Sequence, residues 1–248
     1  MRLHRYFFLL LGFLFFIPSP TQATFSLKGK LIQMVGEILA NPAAFFYDFQ
    51  QDLEATHPLP PGKSLGFQIN AFPSFIPFTY GNLSTKIRLH PEGRWTPGLP
   101  QFDLIGGYWN MVIAKVAADS SDDVKEANFQ GYYGGLVATS SLEPRVRLFW
   151  GYKFAQLRAD LELNEAVDIV STPVSSFKSG LRDHFFFAGI EHPTGIDKTW
   201  ILQLGYGLQN QIISSKVSWM SKHWEFGLNI YPESPLVLHP VVNYHLNF

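Results

Sequence analysis

The chain contains no cysteine. Disulfides, thiolate nucleophiles and cysteine-ligated metals are therefore excluded. It is also poor in charge, with Asp, Glu, Lys and Arg making up 16% of its 248 residues, against about 25% in an average domain. Its 19 basic and 20 acidic side chains nearly cancel, for a formal net charge of −1. There is no basic surplus with which to hold nucleic acid. Beyond the N-terminus no apolar run reaches the ~18 residues of a membrane-spanning helix, which excludes a polytopic helical membrane protein. No phosphate loop, HExxH helix or G-x-S-x-G elbow occurs, so no cofactor and no metal is implied.

The hydrophobic share of 46% and aromatic share of 16% are too high for a disordered chain. Residues 1–23 read as a secretory signal peptide. Arg2 and Arg5 form a positive start, residues 6–17 an apolar stretch, and Pro18 and Pro20 a break before the small-residue site ending at Ala23. The apolar stretch is too short to span ~30 Å of hydrocarbon as a helix. Export, a missing later apolar helix and abundant aromatics fit one membrane architecture well. That architecture is the closed β-barrel, whose strands are only half apolar.

Residues 24–56 differ from the rest. Leu27, Leu31, Met34, Val35, Ile38, Leu39, Phe45, Phe46 and Phe49 recur at steps of three and four, which predicts an amphipathic helical segment. Asn41-Pro42 marks a cap and restart within it. The stripe suits a helix in the membrane interface, on the periplasmic side, equally with one packed on or inside the barrel. Residues 57–63, with the run His57-Pro-Leu-Pro-Pro-Gly62, form a linker that no helix or central strand tolerates.

After this linker the period changes to two. Leu83, Thr85, Ile87 and Leu89 alternate with Ser84, Lys86, Arg88 and His90. Trp200, Leu202, Leu204, Tyr206 and Leu208 alternate with Gln203, Gly205, Gly207 and Gln209. Leu148, Trp150, Tyr152 and Phe154 are followed by Leu157, Ala159, Leu161 and Leu163, an apparent slip of phase that predicts a β-bulge near Ala155. One face is large, apolar and aromatic at its ends. The other mixes Arg, Lys, Glu, Gln and Gly, as in a small barrel with a polar interior.

The last segment alternates through Val242, Tyr244, Leu246 and Phe248 on one face, with Asn243, His245 and Asn247 on the other. This resembles the C-terminal insertion signal of Gram-negative outer-membrane β-barrel proteins: a terminal Phe, an apolar third residue from the end and an aromatic fifth. The resemblance is tight over about one strand. It implies location in the bacterial outer membrane after export, contact with outer-membrane lipid and lipopolysaccharide, and recognition of the final strand by the barrel-assembly machinery. It also implies that this strand closes against the first. Pro240 departs from the pattern and predicts a local irregularity.

Barrels of this kind are antiparallel, up-and-down and even-stranded, with both termini on one side. Residues 64–248 are read as strands near 64–72, 82–90, 101–115, 128–139, 145–162, 181–191, 198–208, 211–220, 223–231 and 236–248. Ten strands put the long connections 116–127 and 164–180 together on the outer side. Eight or twelve are the alternatives.

The expected lumen charges are Lys86, Arg88, Arg145, Arg147, Lys153, Arg158, Asp160, Glu162 and Glu225. They suit a paired network filling a narrow barrel, or a basic constriction in a passive pore for small anions. A lipid-modifying enzyme, an acyl hydrolase or acyltransferase, would draw on Ser176, Ser179, Asp183 and His184 near the outer rim. Ser179 and His184 are then the nucleophile and base, which must lie within hydrogen-bond reach. The acidic run Asp119-Ser-Ser-Asp-Asp123 lacks EF-hand spacing and reads as a solvated loop. The leading functional expectation is a structural protein or a narrow passive pore.

Overall fold

The computed structural model describes residues 50–72, 74, 80–119, 124–143, 146–169, 172–232 and 237–248. The predicted signal peptide and most of the predicted amphipathic segment lie outside these residues, as do Ser120, Ser121, Asp122, Asp123 and Arg145.

Among the described residues ten strands are formed: β1 (Leu65–Phe72), β2 (Tyr80–His90), β3 (Gln101–Met111), β4 (Val124–Glu143), β5 (Val146–Ile169), β6 (Thr172–Gly195), β7 (Lys198–Gly207), β8 (Ile213–Ser221), β9 (Trp224–Ile230) and β10 (Leu238–Asn247). A helix, α1 (Val112–Asp119), follows β3. Each strand pairs antiparallel with its neighbours in sequence, and β10 returns to β1, so the sheet is a closed up-and-down barrel. Closure removes the open edges that a sheet otherwise exposes.

The seam runs from Gly66↔Asn247 through Ile69↔Tyr244 to Phe72↔Val242. The Phe248 amide donates to the Leu65 carbonyl at 2.8 Å, and the Ser64 amide donates to the Phe248 carbonyl at 2.7 Å. The β1 pairing stops at Val242, before Pro240 is reached, and the register shifts there between Asn70 and Phe72. A residue without an N–H therefore sits where, among the described residues, one edge of β10 has no partner.

Two sequence expectations fail along β5. No bulge occurs at Ala155: pairing with β4 is continuous from Ala159 opposite Phe129 to Phe149 opposite Thr139. Ala155, Leu157 and Ala159 continue the inward face of Arg147, Phe149 and Lys153, all of them buried. Residues 164–180 are also not a long loop, because β5 and β6 run on to Ile169 and from Thr172. A two-stranded ribbon standing beyond the barrel wall has no face to bury, so its sequence carries no alternation to mark it. The connection 116–127 is likewise shortened by α1 and by the start of β4 at Val124.

Inward glycines make room for inward rings. A Cβ at Gly189 would collide with the Phe149 ring, and one at Gly205 with the Phe185 ring. These close approaches let aromatic side chains cross a narrow interior that their number would otherwise overfill.

Candidate functional site

The interior holds more than wall side chains. Residues 50–59 lie inside the barrel, buried throughout, with a helical turn at 50–53 followed by irregular chain. The prolines that prevent this stretch from joining the sheet leave its polar groups to be satisfied by the wall. The Ala55 amide donates to Tyr133 Oη at 2.8 Å, and the Leu59 amide to Asp103 Oδ2 at 2.8 Å. Arg88 Nη2 donates to the Pro60 carbonyl at 2.8 Å, and Arg147 Nη2 to the Leu59 carbonyl at 3.1 Å. Residues 57–59, expected as part of a linker, thus form part of a plug.

The plug also carries charge into the lumen. Glu54 forms an ion pair with Lys153, both fully buried. Asp52 accepts from Asn229 Nδ2 at 2.6 Å and Tyr231 Oη at 2.9 Å, and pairs with His239 Nδ1 at 2.6 Å. His57 Nε2 lies 2.8 Å from Lys86 Nζ.

A second centre is built on the wall around Glu225. Lys216 Nζ approaches Oε1 at 2.6 Å and Ser218 Oγ donates to it at 2.7 Å. Asn243 Nδ2 donates to Oε2 at 2.9 Å, and His245 Nε2 shares that oxygen at 2.9 Å. His57, Glu225 and His245 offer ligand atoms within 4.8 Å of one another. They do not suit a divalent cation. Both carboxylate oxygens are taken, and an ion there would meet the ammonium groups of Lys86 and Lys216 at close range.

Of the charges expected in the lumen, Lys86, Arg88, Arg147, Lys153 and Glu225 are gathered there. Arg88 pairs with Asp103 at 3.5 Å, and Arg147 with Glu191 at 2.8 Å. Arg158, Asp160 and Glu162 are not with them. They follow the opposite parity of β5, where Arg158 pairs with Asp160 at 2.5 Å and Glu162 with the exposed Lys125 at 2.7 Å. The expected slip of phase is what had placed them inside. Asp52, Glu54, His57, Asp103, Glu191, Lys216, His239 and His245 belong to the network but not to the expected set. The surplus of basic residues in that set was the available signal, because buried ammonium and guanidinium groups require partners.

Ser179 and His184 lie on one uninterrupted strand, separated by roughly 17 Å of strand rise. His184 Nδ1 is 2.6 Å from Tyr152 Oη, on the outward face. No nucleophile–base pair is formed between them. Asp183 turns inward, fully buried, and accepts from the Gln209 amide at 2.9 Å and Asn210 Nδ2 at 3.1 Å. It holds the β7–β8 connection.

A cavity of about 20 Å³, lined by residues including Glu54, Thr56, Lys153, Gln203 and Lys216, accommodates about one water molecule.

The outer face has the opposite character. On β7 Leu204 is 65% exposed beside Gln203 at 7%, and on β9 Phe226 is 46% exposed beside Glu225 at 0%. Near the end of the barrel that carries Phe248, Trp200 pairs across strands with Trp219, Trp219 stacks on Phe226 at 6.2 Å, and Trp224 meets Tyr244 at 5.0 Å. Toward the other end, outward tyrosines reach polar side chains on the next strand. Tyr108 Oη donates to Gln130 at 2.9 Å and Tyr132 Oη to Gln156 at 2.6 Å. Compared with protein-family models and with curated proteins, the sequence matches none.

Proposed function

We propose that this β-barrel is an outer-membrane protein with a structural role, closed at rest by its own N-terminal segment. The observation that carries the reading is the inverted surface. Apolar side chains are exposed on strand after strand around the ring, while charged neighbours are buried within. A water-soluble barrel would bury the first set and expose the second. The outward run from Trp200 to Tyr206 on β7, continued by Leu208 just past the strand's end, covers roughly 27 Å. At a tilt of about 40° this is some 20 Å of height, close to the apolar band of such barrels. Aromatic residues gather toward both ends of the band, where headgroups meet acyl chains. Outer-membrane lipid and lipopolysaccharide are then its surroundings, and the seam strand with Val242, Tyr244, Leu246 and Phe248 is what the barrel-assembly machinery engages. Of the two passive roles open to the sequence, the filled lumen supports a structural one over a standing pore.

Reconstitution into bilayers of brominated phospholipid tests this. Outward Trp150, Trp200, Trp219 and Trp224 should be quenched strongly, most by bromines placed near the headgroups. Tryptophan emission unchanged by brominated lipid, or a protein that stays folded in buffer and does not enter lipid, overturns the reading.

A further inference from the structure

Two carboxylates of the plug sit where the wall is built for anions. At Asp52, Asn229 Nδ2 and Tyr231 Oη share Oδ1, and His239 Nδ1 takes Oδ2. This buried set, drawn from β9, the residue after it and β10, fits the two oxygens of one carboxylate. Glu54, two residues on, takes Lys153 from β5. Neither carboxylate belongs to the sheet, and every one of these wall groups lies on it or at its rim.

Other ion pairs of the interior are closed within the wall. Arg88 holds Asp103, Arg147 holds Glu191, and Lys216 holds Glu225. Lys153 and His239 instead pair with the plug. The two carboxylate positions also adjoin, because Lys153, Asn229 and Tyr231 line the same cavity between plug and wall. Gln51 lines it too, 6% exposed, with neither amide atom hydrogen-bonded among the described residues. A buried amide left in that condition favours the entry of a polar group.

We propose that Asp52 and Glu54 occupy a binding site for a small aliphatic dicarboxylate, which binds the wall in exchange for them and releases residues 50–59. The plug is then an internal competitor, and the barrel is closed when its site is filled from within. A ligand that binds only the displaced state draws the plug out by mass action.

The test uses the full chain in detergent carrying Thr56→Cys, a buried plug position that becomes the sole thiol. Succinate and glutarate are the probes. Succinamide is the neutral counterpart, and sodium chloride at matched ionic strength controls for screening. Maleimide labelling should rise saturably with dicarboxylate, about tenfold at ten times its dissociation constant, and stay flat with succinamide and chloride. Adding Glu54→Gln and Lys153→Met together removes the site's ammonium along with the carboxylate it holds, and should weaken the response to dicarboxylate. No rise with either dicarboxylate, an equal rise with succinamide or chloride, or an undiminished response in that variant overturns the proposal. A barrel that proves soluble is assayed identically in buffer, so failure of the membrane reading leaves this test intact.

Discussion

Replacing Glu54 by Gln should loosen the plug more than any other single change of one functional group. The side chains of Lys153 and Glu54 are 1% and 0% exposed, so removing the carboxylate strands a buried ammonium. The Phe185 ring, 4.7 Å from Lys153 Nζ, offers only weak compensation. Removing one partner of a buried ion pair costs about 3–5 kcal/mol. The lower end applies if Lys153 sheds its proton to escape the charge. At about 1.4 kcal/mol per tenfold, the population with a displaced plug should rise by roughly two to three and a half orders of magnitude. A Thr56→Cys reporter, nearly isosteric and buried in the resting barrel, reads that population as the rate of thiol labelling in reconstituted protein. The double variant Glu54→Gln, Lys153→Met removes both charges and should return the rate to within about tenfold of the reporter alone. Equal labelling with and without Glu54→Gln would refute the claim that this pair holds the segment. Failure of the double variant to recover would refute the charge argument specifically.

Other consequences are simpler to read. Gly189→Leu should collide with the Phe149 ring and destabilise the barrel by about 1–3 kcal/mol, seen as a lower denaturant midpoint and partly rescued by Phe149→Ala. Deleting Phe248 removes the carbonyl that receives the Ser64 amide and the edge contact with the Phe67 ring at 6.4 Å. Slower assembly in cells should result, measured by the appearance of the folded form on cold gels. In planar bilayers the intact protein should show no steady open level, and Glu54→Gln should add openings.

Much of the fold was legible because the wall has two sides with different solvents. Wherever one face meets the interior and the other the exterior, as in β2, β7 and β9, a period of two is enforced and each strand shows in the sequence. The pattern failed where that contrast fails. Leu157 and Ala159 face inward yet are apolar, because the interior at that level packs against other apolar side chains such as Trp109 and Tyr133. Read as outward residues, they forced the false phase slip and carried Arg158, Asp160 and Glu162 to the wrong side. The plug stayed one of two open placements for a different reason. Its prolines announce only that the chain is irregular, and irregular chain is normally on the surface. Its burial follows from partners distant in sequence: Asp103, Lys153, Gln203 and His239. No local period records them, although an excess of basic side chains facing one interior shows that acids must arrive from elsewhere.

The medium around the outer face can be measured directly. Cells producing the full chain can be lysed without detergent and their membranes separated by density. The protein should be recovered in the outer-membrane band and released from it only by detergent, resisting extraction by carbonate or high salt. Recovery in the soluble periplasmic fraction, as a folded protein needing no detergent, would contradict the outer-membrane reading.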